Sequence, residues 1–207
     1  MKSKFIVLEG TEGAGKSTQI RVIKEVLGDS VIITREPGGS PYAEEIRRLI
    51  LNSPDAQQAD AKTHFALFWA ARADHMKNNI LPGLAAGRHV ISDRFDSSTF
   101  AYQIYGQKAK QLEKFFWQTR EFYLEGNFPD IYIFMDVDIE TGLQRKAGQG
   151  ADEINHFDQR KIDFHRRMRQ GYMDFLPHVP HVIINANQDQ EKVTVDLLKV
   201  IRELVEQ

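Results

Sequence analysis

The fold of this chain is decided by the stretch Phe5-Ile6-Val7-Leu8-Glu9-Gly10-Thr11-Glu12-Gly13-Ala14-Gly15-Lys16-Ser17-Thr18. Its first four residues form an apolar run typical of a buried strand. Residues 10–17 then match the phosphate-loop pattern G-x-x-x-x-G-K-[ST] at every required position. Apolar side chains at helical spacing follow from Ile20 to Leu27. The sequence therefore predicts a strand, a phosphate-binding loop and a helix in succession.

Each residue type in this loop has a chemical reason. Glycine lacks a Cβ, so the backbone can take positive φ values and turn its N–H groups around an anion. Lys16 adds a point charge for the terminal phosphates, Ser17 offers a hydroxyl to Mg²⁺, and the helix start adds the positive end of its dipole. The residues predicted to bind ATP in this loop are Gly10, Thr11, Glu12, Gly13, Ala14, Gly15, Lys16, Ser17 and Thr18.

Length and composition narrow the class of protein. The chain has 207 residues and a formal net charge of -2, without a polybasic stripe, so we expect a single domain over 1–207 and no nucleic-acid partner. The sequence contains no cysteine, which excludes disulfides and thiolate metal sites and suits a reducing compartment. No apolar stretch approaches the length of a membrane span, and the start of the chain does not read as a signal peptide. We therefore expect a cytoplasmic protein with no membrane partner.

Strand and helix patterns alternate along the chain. The predicted strands are residues 5–8, 31–34, 89–92, 131–135 and 182–184. The predicted helices are residues 16–27, 41–52, 61–86 with an interruption at Pro82, 97–105, 111–125 and 162–176, and a closing helix striped by apolar residues from 193 to 205. This alternation predicts an α/β fold: a three-layer, doubly wound, five-stranded parallel sheet flanked by helices. Ligands bind at the carboxyl ends of such strands, where Gly10, Arg35 and Asp93 fall.

One segment, residues 145–158, has glycines and polar residues but no apolar stripe. We interpret it as a mobile flap, or LID, over a site. A plain solvated loop is the alternative.

The dipeptide Asp93-Arg94 comes directly after the third strand. There a carboxylate can hold Mg²⁺ directly or through water, and an arginine can reach across two phosphates. Asp-Arg pairs are also common as simple ion pairs. Phosphoryl transfer between two anions needs a bridging cation, and Arg94 is our candidate for it.

Two helices offer candidate residues for a second substrate. Phe68 and Arg72 are four residues apart, so they share one face of a helix. The ring could stack on a nucleotide base while the guanidinium donates to the edge of that base. The alternative is a core phenylalanine and a paired arginine. On the later helix, Thr99 and Gln103 share a face next to that of Ser98 and Tyr102; these faces suit either a substrate or solvent.

Two further features concern charge. Glu12 within the loop would repel the bound anion, so it needs a favourable partner such as a sugar hydroxyl or a metal. The seven histidines show no metal-ligand spacing. We interpret five of them as surface or loop residues: His75, His156, His165, His178 and His181.

Together these motifs resemble the bacterial thymidylate kinases over essentially the whole chain. The segments that carry the resemblance are residues 9–18, 34–39 (Thr-Arg-Glu-Pro-Gly-Gly), 70–72, 92–95 (Ser-Asp-Arg-Phe), 98–99, 101–103 (Ala-Tyr-Gln), 129–130, 136–137, 142–145 and 164–172. The phosphate loop is generic, but its combination with the 34–39, Asp-Arg and Ala-Tyr-Gln segments is specific to this family.

The resemblance implies a homodimeric kinase that uses Mg²⁺ and ATP to convert dTMP to dTDP. It implies catalytic roles for Lys16, Arg94, Arg145 and Glu12, with Arg94 on the dTMP phosphate and Arg145 beside adenine or phosphate. It implies Mg²⁺ contacts from Ser17 and Asp93. For the base of dTMP it implies Phe68 and Arg72, with Arg35, Pro37, Leu51, Thr99 and Gln103 around them. For the sugar it implies Glu12 at the hydroxyl and Tyr102 at the deoxyribose. Arg94 and Ser98 complete the residues implied for dTMP.

The sequence departs from the family pattern at two places. The flap ends Asn155-His156-Phe157-Asp158 where the family commonly has Asp-Arg-Phe-Glu, and the residues after Gln103 are Ile104-Tyr105-Gly106-Gln107-Lys108 where a glycine-rich segment with an arginine is typical. We expect Lys146, or Arg160 and Lys161, to supply the charge that the flap lacks. Two other functions remain open at this point: another nucleoside or nucleotide monophosphate kinase, and a nucleotide-gated switch ATPase.

Overall fold

The structure is a computed structural model, and it describes residues 3–148 and 156–206. Its centre is a five-stranded sheet of order β2-β3-β1-β4-β5 in which every neighbouring pair is parallel. The strands are β1 Phe5–Gly10, β2 Val31–Arg35, β3 His89–Asp93, β4 Ile131–Asp136 and β5 His181–Asn185. The predicted parallel sheet is confirmed, and each predicted strand falls within an observed one.

Helices cover both faces of this sheet. Within the described ranges the α-helices are α1 Lys16–Leu27, α2 Pro41–Asn52, α3 Ala61–His75, α4 Leu81–Ala85, α5 Asp96–Thr99, α6 Glu113–Leu124, α7 Ile139–Ala147, α8 Ile162–Phe175 and α9 Gln190–Val205, and a π-helical segment, Phe100–Gly106, directly follows α5. Successive residues of β1 point to opposite faces, so Ile6 packs in a cluster with α1 and α9 while Phe5 packs in a larger one with α2, α3, α6 and α8. The α/β three-layer architecture follows from these two cores.

The long helical pattern around Pro82 is accommodated by a wider turn. Met76–Ile80 is a π-helical turn between α3 and α4, and Leu81 N–H donates to the carbonyl of Met76. Proline lacks an N–H and clashes with the carbonyl four residues earlier in a regular helix. The wider turn lets the chain stay helical through Pro82.

Two of the histidine predictions are wrong. His75 and His165 are 0% and 2% exposed, and neither lies in a loop. The ring of His75 lies between Glu36 Oε1, 3.1 Å from Nδ1, and Thr34 Oγ1, 2.6 Å from Nε2. A histidine with polar partners on both ring nitrogens can be buried, and local sequence patterns do not reveal these partners because they lie about forty residues away.

The register of the strands sets where a site can form. Asp93 at the end of β3 is paired with Arg35 of β2 and with Leu8 of β1. Glu9 and Gly10, the last two residues of β1, therefore lie at the same carboxyl edge. In the part of the chain that the structure describes, no helix has both the length and the apolar character to cross a membrane.

Candidate active site

The phosphate loop has the backbone geometry that its glycines predict. Gly13 and Gly15 have φ values of 70° and 90°. Lys16 is 9% exposed, and its Nζ donates to the carbonyl oxygens of Gly10 at 2.9 Å and Thr11 at 3.5 Å. Burial, followed by the nearby Arg94, lowers the pKa of Lys16. The ammonium is thus held over the loop, where an anion would relieve the repulsion from Arg94.

The loop packs directly against the start of α7. A Cβ on Gly13 would lie 1.9 Å from the carbonyl oxygen of Gly142, and a Cβ on Gly142 would lie 2.2 Å from the carbonyl oxygen of Glu12. Neither position has room for a side chain. The two glycines therefore bring the tip of the phosphate loop against the helix that leads into the expected flap.

Arg94 makes several hydrogen bonds at the carboxyl edge of the sheet. Its backbone has φ 70°, which is uncommon for a residue other than glycine. Nη1 donates to the Gly10 carbonyl at 3.3 Å and to Tyr172 OH at 3.0 Å, and Nη2 donates to Glu12 Oε1 at 3.2 Å. The guanidinium thus stands between the phosphate loop and α8.

Glu9 was missed by sequence reasoning as a site residue. Its carboxylate is fully buried and accepts hydrogen bonds from Phe95 N at 3.1 Å, Ser97 Oγ at 2.7 Å and Ser98 Oγ at 2.9 Å. Arg94 Nη1 lies 3.7 Å from Glu9 Oε2. Burial raises the pKa of Glu9, while Arg94 and the hydrogen bonds oppose this. Glu9 thereby orients both Arg94 and the turn that enters α5. The sequence signal for this role is an acidic residue near the end of an otherwise apolar strand.

Glu12 has partners that account for a carboxylate inside a phosphate loop. Its Oε1 accepts from Arg94 Nη2 and from the hydroxyl of Tyr102. Burial alone would raise its pKa, but Arg94, then Lys16, then the Tyr102 hydrogen bond lower the pKa to about 2. Glu12 is therefore ionised at neutral pH and neutralises part of the positive charge of the site.

A single cleft of about 620 Å³ joins the phosphate loop to the aromatic residues of α3. The predicted site residues that line it are Glu12, Gly13, Ala14, Gly15, Lys16, Ser17, Thr18, Arg35, Pro37, Leu51, Phe68, Arg72, Asp93, Arg94, Ser98 and Tyr102. Gly10, Thr11, Thr99, Gln103 and Arg145 are not in its lining. Further lining residues that the sequence did not single out include Glu36, Arg47, Asn52 and Phe95. The volume is in the usual range for small-molecule sites.

Arg72 is held by two polar partners on the far side of the cleft. It is 1% exposed, its Nε donates to Glu36 Oε2 at 2.8 Å, and its Nη2 donates to Thr99 Oγ1 at 3.2 Å. Nη1 is buried and has no hydrogen-bond partner among the described residues. A buried N–H left unpaired is costly, so this atom is suited to a ligand acceptor. The same helix face carries Phe68 into the cleft lining.

The residues at the two sides of the expected flap have defined contacts. Arg145 and Lys146 belong to the last turn of α7, where cations interact favourably with the helix dipole. Arg145 Nη1 donates to the Ala186 carbonyl at 2.9 Å, and Lys146 lines the cleft. His156 Nε2 lies 3.0 Å from the Ile50 carbonyl. Residues 149–155, which are half of the expected flap and include Asn155, lie outside the described residues, so the flap remains a prediction.

The oxygens expected at Mg²⁺ fit that ion. Ser17 and Asp93 both line the cleft, and Asp93 Oδ1 is a buried oxygen without a hydrogen-bond partner in the described part of the chain. Among the described residues, no cluster of three or more His, Cys, Asp or Glu side chains could hold a metal. Mg²⁺ commonly takes one or two protein oxygens and completes its shell with water and substrate phosphates.

A phosphate loop, and an arginine that faces the polar and aromatic end of the same cleft, define a P-loop phosphotransferase of the nucleotide kinase class. Residues 8–197 match the family model described as Thymidylate kinase. The chain is 38% identical over 210 residues to the thymidylate kinase of Limosilactobacillus reuteri (strain DSM 20016), covering 98% of this chain and 97% of that protein. It is 42% identical over 203 residues to that of Ruegeria pomeroyi, covering 95% and 93%.

A comparison with solved structures leads to the same family. The crystal structure of thymidylate kinase from Ehrlichia chaffeensis matches with a TM-score of 0.75 and 30% identity, covering 98% of this chain and 99% of that one. The chain belongs to the thymidylate kinase family. Family membership confirms the resemblance and the enzyme class, which is a kinase of nucleotides. It argues against the switch ATPase.

Proposed function

We propose that this chain transfers the γ-phosphoryl group of ATP to dTMP, giving ADP and dTDP. The observation that carries the proposal is the position of Arg94. Its Nη2 lies 3.2 Å from Glu12 in the phosphate loop, and its Nη1 lies 3.0 Å from Tyr172 OH on α8. The guanidinium thus faces the same cleft as both the phosphate loop and Phe68. A cation so placed can contact two anionic substrates at once.

The donor end of the cleft is the phosphate loop. ATP phosphates would accept hydrogen bonds from the loop N–H groups at the start of α1 and would draw Lys16 Nζ away from the Gly10 and Thr11 carbonyls. Arg145 would lie beside adenine or phosphate, as the family resemblance implies, and its guanidinium is held by the Ala186 carbonyl. Lys146, in the cleft lining, would supply charge that the flap lacks.

The acceptor end is the pocket between α2 and α3. Phe68 offers a ring for the base, Arg72 an unpaired Nη1, and Tyr102 a polar group for the sugar. Arg35, Pro37 and Leu51 are further parts of the cleft lining. Ser98 and Thr99 act on the acceptor site through other residues, because Ser98 donates to Glu9 and Thr99 accepts from Arg72.

Catalysis by these residues is positioning and charge stabilisation. A phosphate oxygen of dTMP attacks the γ-phosphorus as its bond to the bridging oxygen of ADP breaks, and negative charge spreads over the transferred group. Lys16 and Arg94 are donors in a buried setting, where such contacts are strong. Mg²⁺, when bound, would be held by Ser17 and Asp93 and would neutralise phosphate charge.

A coupled assay of ADP release with purified protein tests this function. The acceptor panel is dTMP, dUMP, dCMP, AMP and thymidine, with each reaction run against a blank that lacks acceptor. We expect dTMP to give the highest kcat/KM and the blank to give almost no ADP. A higher kcat/KM for thymidine, or ADP release that does not depend on acceptor, would contradict the proposal.

We also propose that the enzyme is a homodimer that works in the cytoplasm. Phe115 and Phe122 on α6 are 54% and 72% exposed, and Leu49 on α2, which packs on the same face of the sheet, is 57% exposed. Large exposed apolar groups on one side of a protein suit an interface with a second copy. Light scattering should give twice the chain mass for the parent and for Val195→Glu, but a lower mass for Phe122→Glu. A monomeric parent would contradict the dimer, and cell fractionation tests the location.

A further inference from the structure

Three polar side chains form a buried cluster outside the cleft: Asp96, Arg120 and Tyr132, which we call the Asp96 cluster. They are 0%, 7% and 0% exposed, and none of them is in the cleft lining. Arg120 Nε donates to Asp96 Oδ2 at 2.6 Å, and the Tyr132 hydroxyl donates to Asp96 Oδ1 at 2.6 Å. The cluster thus ties the first residue of α5 to α6 and to β4.

The members of the Asp96 cluster stabilise one another's protonation states. Burial disfavours a charged arginine, but Asp96 and then Tyr132 outweigh it and raise the pKa of Arg120. Burial and then Asp96 raise the pKa of Tyr132 well above its ordinary value of 10, so its hydroxyl keeps the proton that it donates. The guanidinium also lies over the ring of Phe128, 4.4 Å from the centroid. Each oxygen of the Asp96 carboxylate therefore has a donor.

The cluster is connected to Arg94 by further polar contacts. Ser97 N–H donates to Asp96 Oδ1 at 2.9 Å, and the Ser97 hydroxyl donates to Glu9 Oε1 at 2.7 Å. Glu9 Oε2 lies 3.7 Å from Arg94 Nη1. A continuous series of polar contacts therefore leads from Arg120 on α6 to the arginine at the cleft.

The polar groups of this cluster are better explained by orientation than by stability. Replacing a buried ion pair by apolar residues of similar volume is often neutral or stabilising, because removing charges from water is costly. What the Asp96 carboxylate adds is direction, since its donors favour one orientation of the first turn of α5. That turn presents Phe95 N–H and the Ser97 and Ser98 hydroxyls to Glu9. A misplacement of about 1 Å can slow catalysis on the order of 100-fold.

We propose that Asp96, Arg120 and Tyr132 are positioning residues that hold Glu9, and through it the guanidinium of Arg94, in the orientation that phosphoryl transfer requires. This inference rests on the proposed function and adds to it residues outside the substrate cleft. It requires that loss of the cluster lowers kcat only through Arg94. KM for ATP should change little, because the phosphate loop packs against α7.

The test removes one donor of Asp96 at a time, with Arg120→Met and with Tyr132→Phe. Each change is made in the parent and in Arg94→Lys, and kcat is measured at saturating ATP and dTMP. In the parent we expect kcat to fall at least about tenfold in Arg120→Met and about threefold in Tyr132→Phe, with KM for ATP within about twofold. In Arg94→Lys either change should lower kcat less than about twofold, because the fork that the cluster orients is absent.

Leu124→Ala is the control for a general loss of stability. Leu124 lies on α6, is 1% exposed and belongs to the larger core. Its truncation leaves a cavity but removes no polar contact. We expect its melting temperature to fall at least as far as that of Tyr132→Phe, with kcat within about twofold of the parent value. Kinetics are measured at a temperature at which circular dichroism shows every variant to be folded.

The proposed function and the positioning role fail in different ways. A parent that releases no ADP in response to dTMP defeats the proposed function. An active parent overturns the positioning role alone if both changes leave kcat unaltered or lower it by the same factor in both backgrounds. A loss confined to the background with Arg94 supports the role, since damage to the fold would lower kcat in both. If Arg120→Met does not fold, the two Tyr132→Phe proteins decide between these outcomes.

Discussion

Arg94 and Glu12 form an ion pair across the mouth of the phosphate loop, with 3.2 Å between Nη2 and Oε1. The pair links the end of β3 to the loop that follows β1, and it keeps the guanidinium fork directed into the cleft. Arg94→Lys keeps one charge but loses the fork that can contact two phosphates. We expect kcat to fall at least about 100-fold. Arg21→Lys, on the exposed side of α1, is the matched control. An Arg94→Lys enzyme as fast as the control would remove the bridge from the mechanism.

Glu12 should make stability depend on pH in a defined window. Its folded pKa is about 2 against an ordinary value of 4.5, so the ionised form stabilises the folded state above pH 4.5, and that contribution is lost as pH falls toward 2. The parent should be more stable than Glu12→Gln at pH 6, with the difference smaller by about 2 kcal/mol at pH 3. Urea unfolding of both proteins at each pH measures this. A difference that does not change with pH would contradict the pairing of Glu12 with Arg94 and Lys16.

The contact between Gly13 and Gly142 should be sensitive to a single methyl group. A Cβ at Gly13 would overlap the Gly142 carbonyl, and its φ of 70° adds backbone strain. Gly126 has a similar φ of 80°, but a Cβ there would meet nothing within 4 Å. Gly13→Ala should therefore raise KM for ATP at least about tenfold, while Gly126→Ala should only lower the melting temperature. Equal KM values in the two variants would show that the close packing of loop and α7 does not matter for ATP binding.

Arg72 and Glu36 form a buried pair that should behave as a unit. Their side chains are 1% and 4% exposed, and His75 contacts the same carboxylate. Arg72→Met leaves Glu36 without its main cation and should cost about 3–5 kcal/mol of unfolding free energy. Adding Glu36→Gln removes the unpaired buried charge and should restore part of the lost unfolding free energy. Urea unfolding of the parent, the two single variants and the double variant measures the coupling. Additive losses would mean that the two residues act independently.

The phosphate loop and the sheet could be predicted from the sequence because their signals are local. A glycine pattern after an apolar run and before a helical stripe places Gly10 to Thr18 within a few residues. Phe68 and Arg72 could be paired in the same way, by spacing on one helix. These features need no knowledge of what lies elsewhere in the chain.

The roles of Glu9, Glu36 and His75 could not be predicted, because each depends on partners far away in the sequence. Glu9 accepts from Ser97 across 88 positions, and His75 contacts Thr34 across 41. The spacing of Thr99 and Gln103 predicts their shared face, and the contact of Gln103 with Gln107 four residues on is local, but the contact of Thr99 with Arg72 depends on how two helices pack. Only the folded chain brings these groups together.

In the proposed mechanism, two nucleotides lie end to end in one cleft and Arg94 contacts both. Transfer of label from [γ-³²P]ATP in a single turnover tests it most directly, with the parent and Arg94→Lys each mixed with or without dTMP. In the parent, label should move to dTDP only when dTMP is present, and this transfer should be slowed in Arg94→Lys. Label that appears in inorganic phosphate at the same rate with or without dTMP would contradict the account.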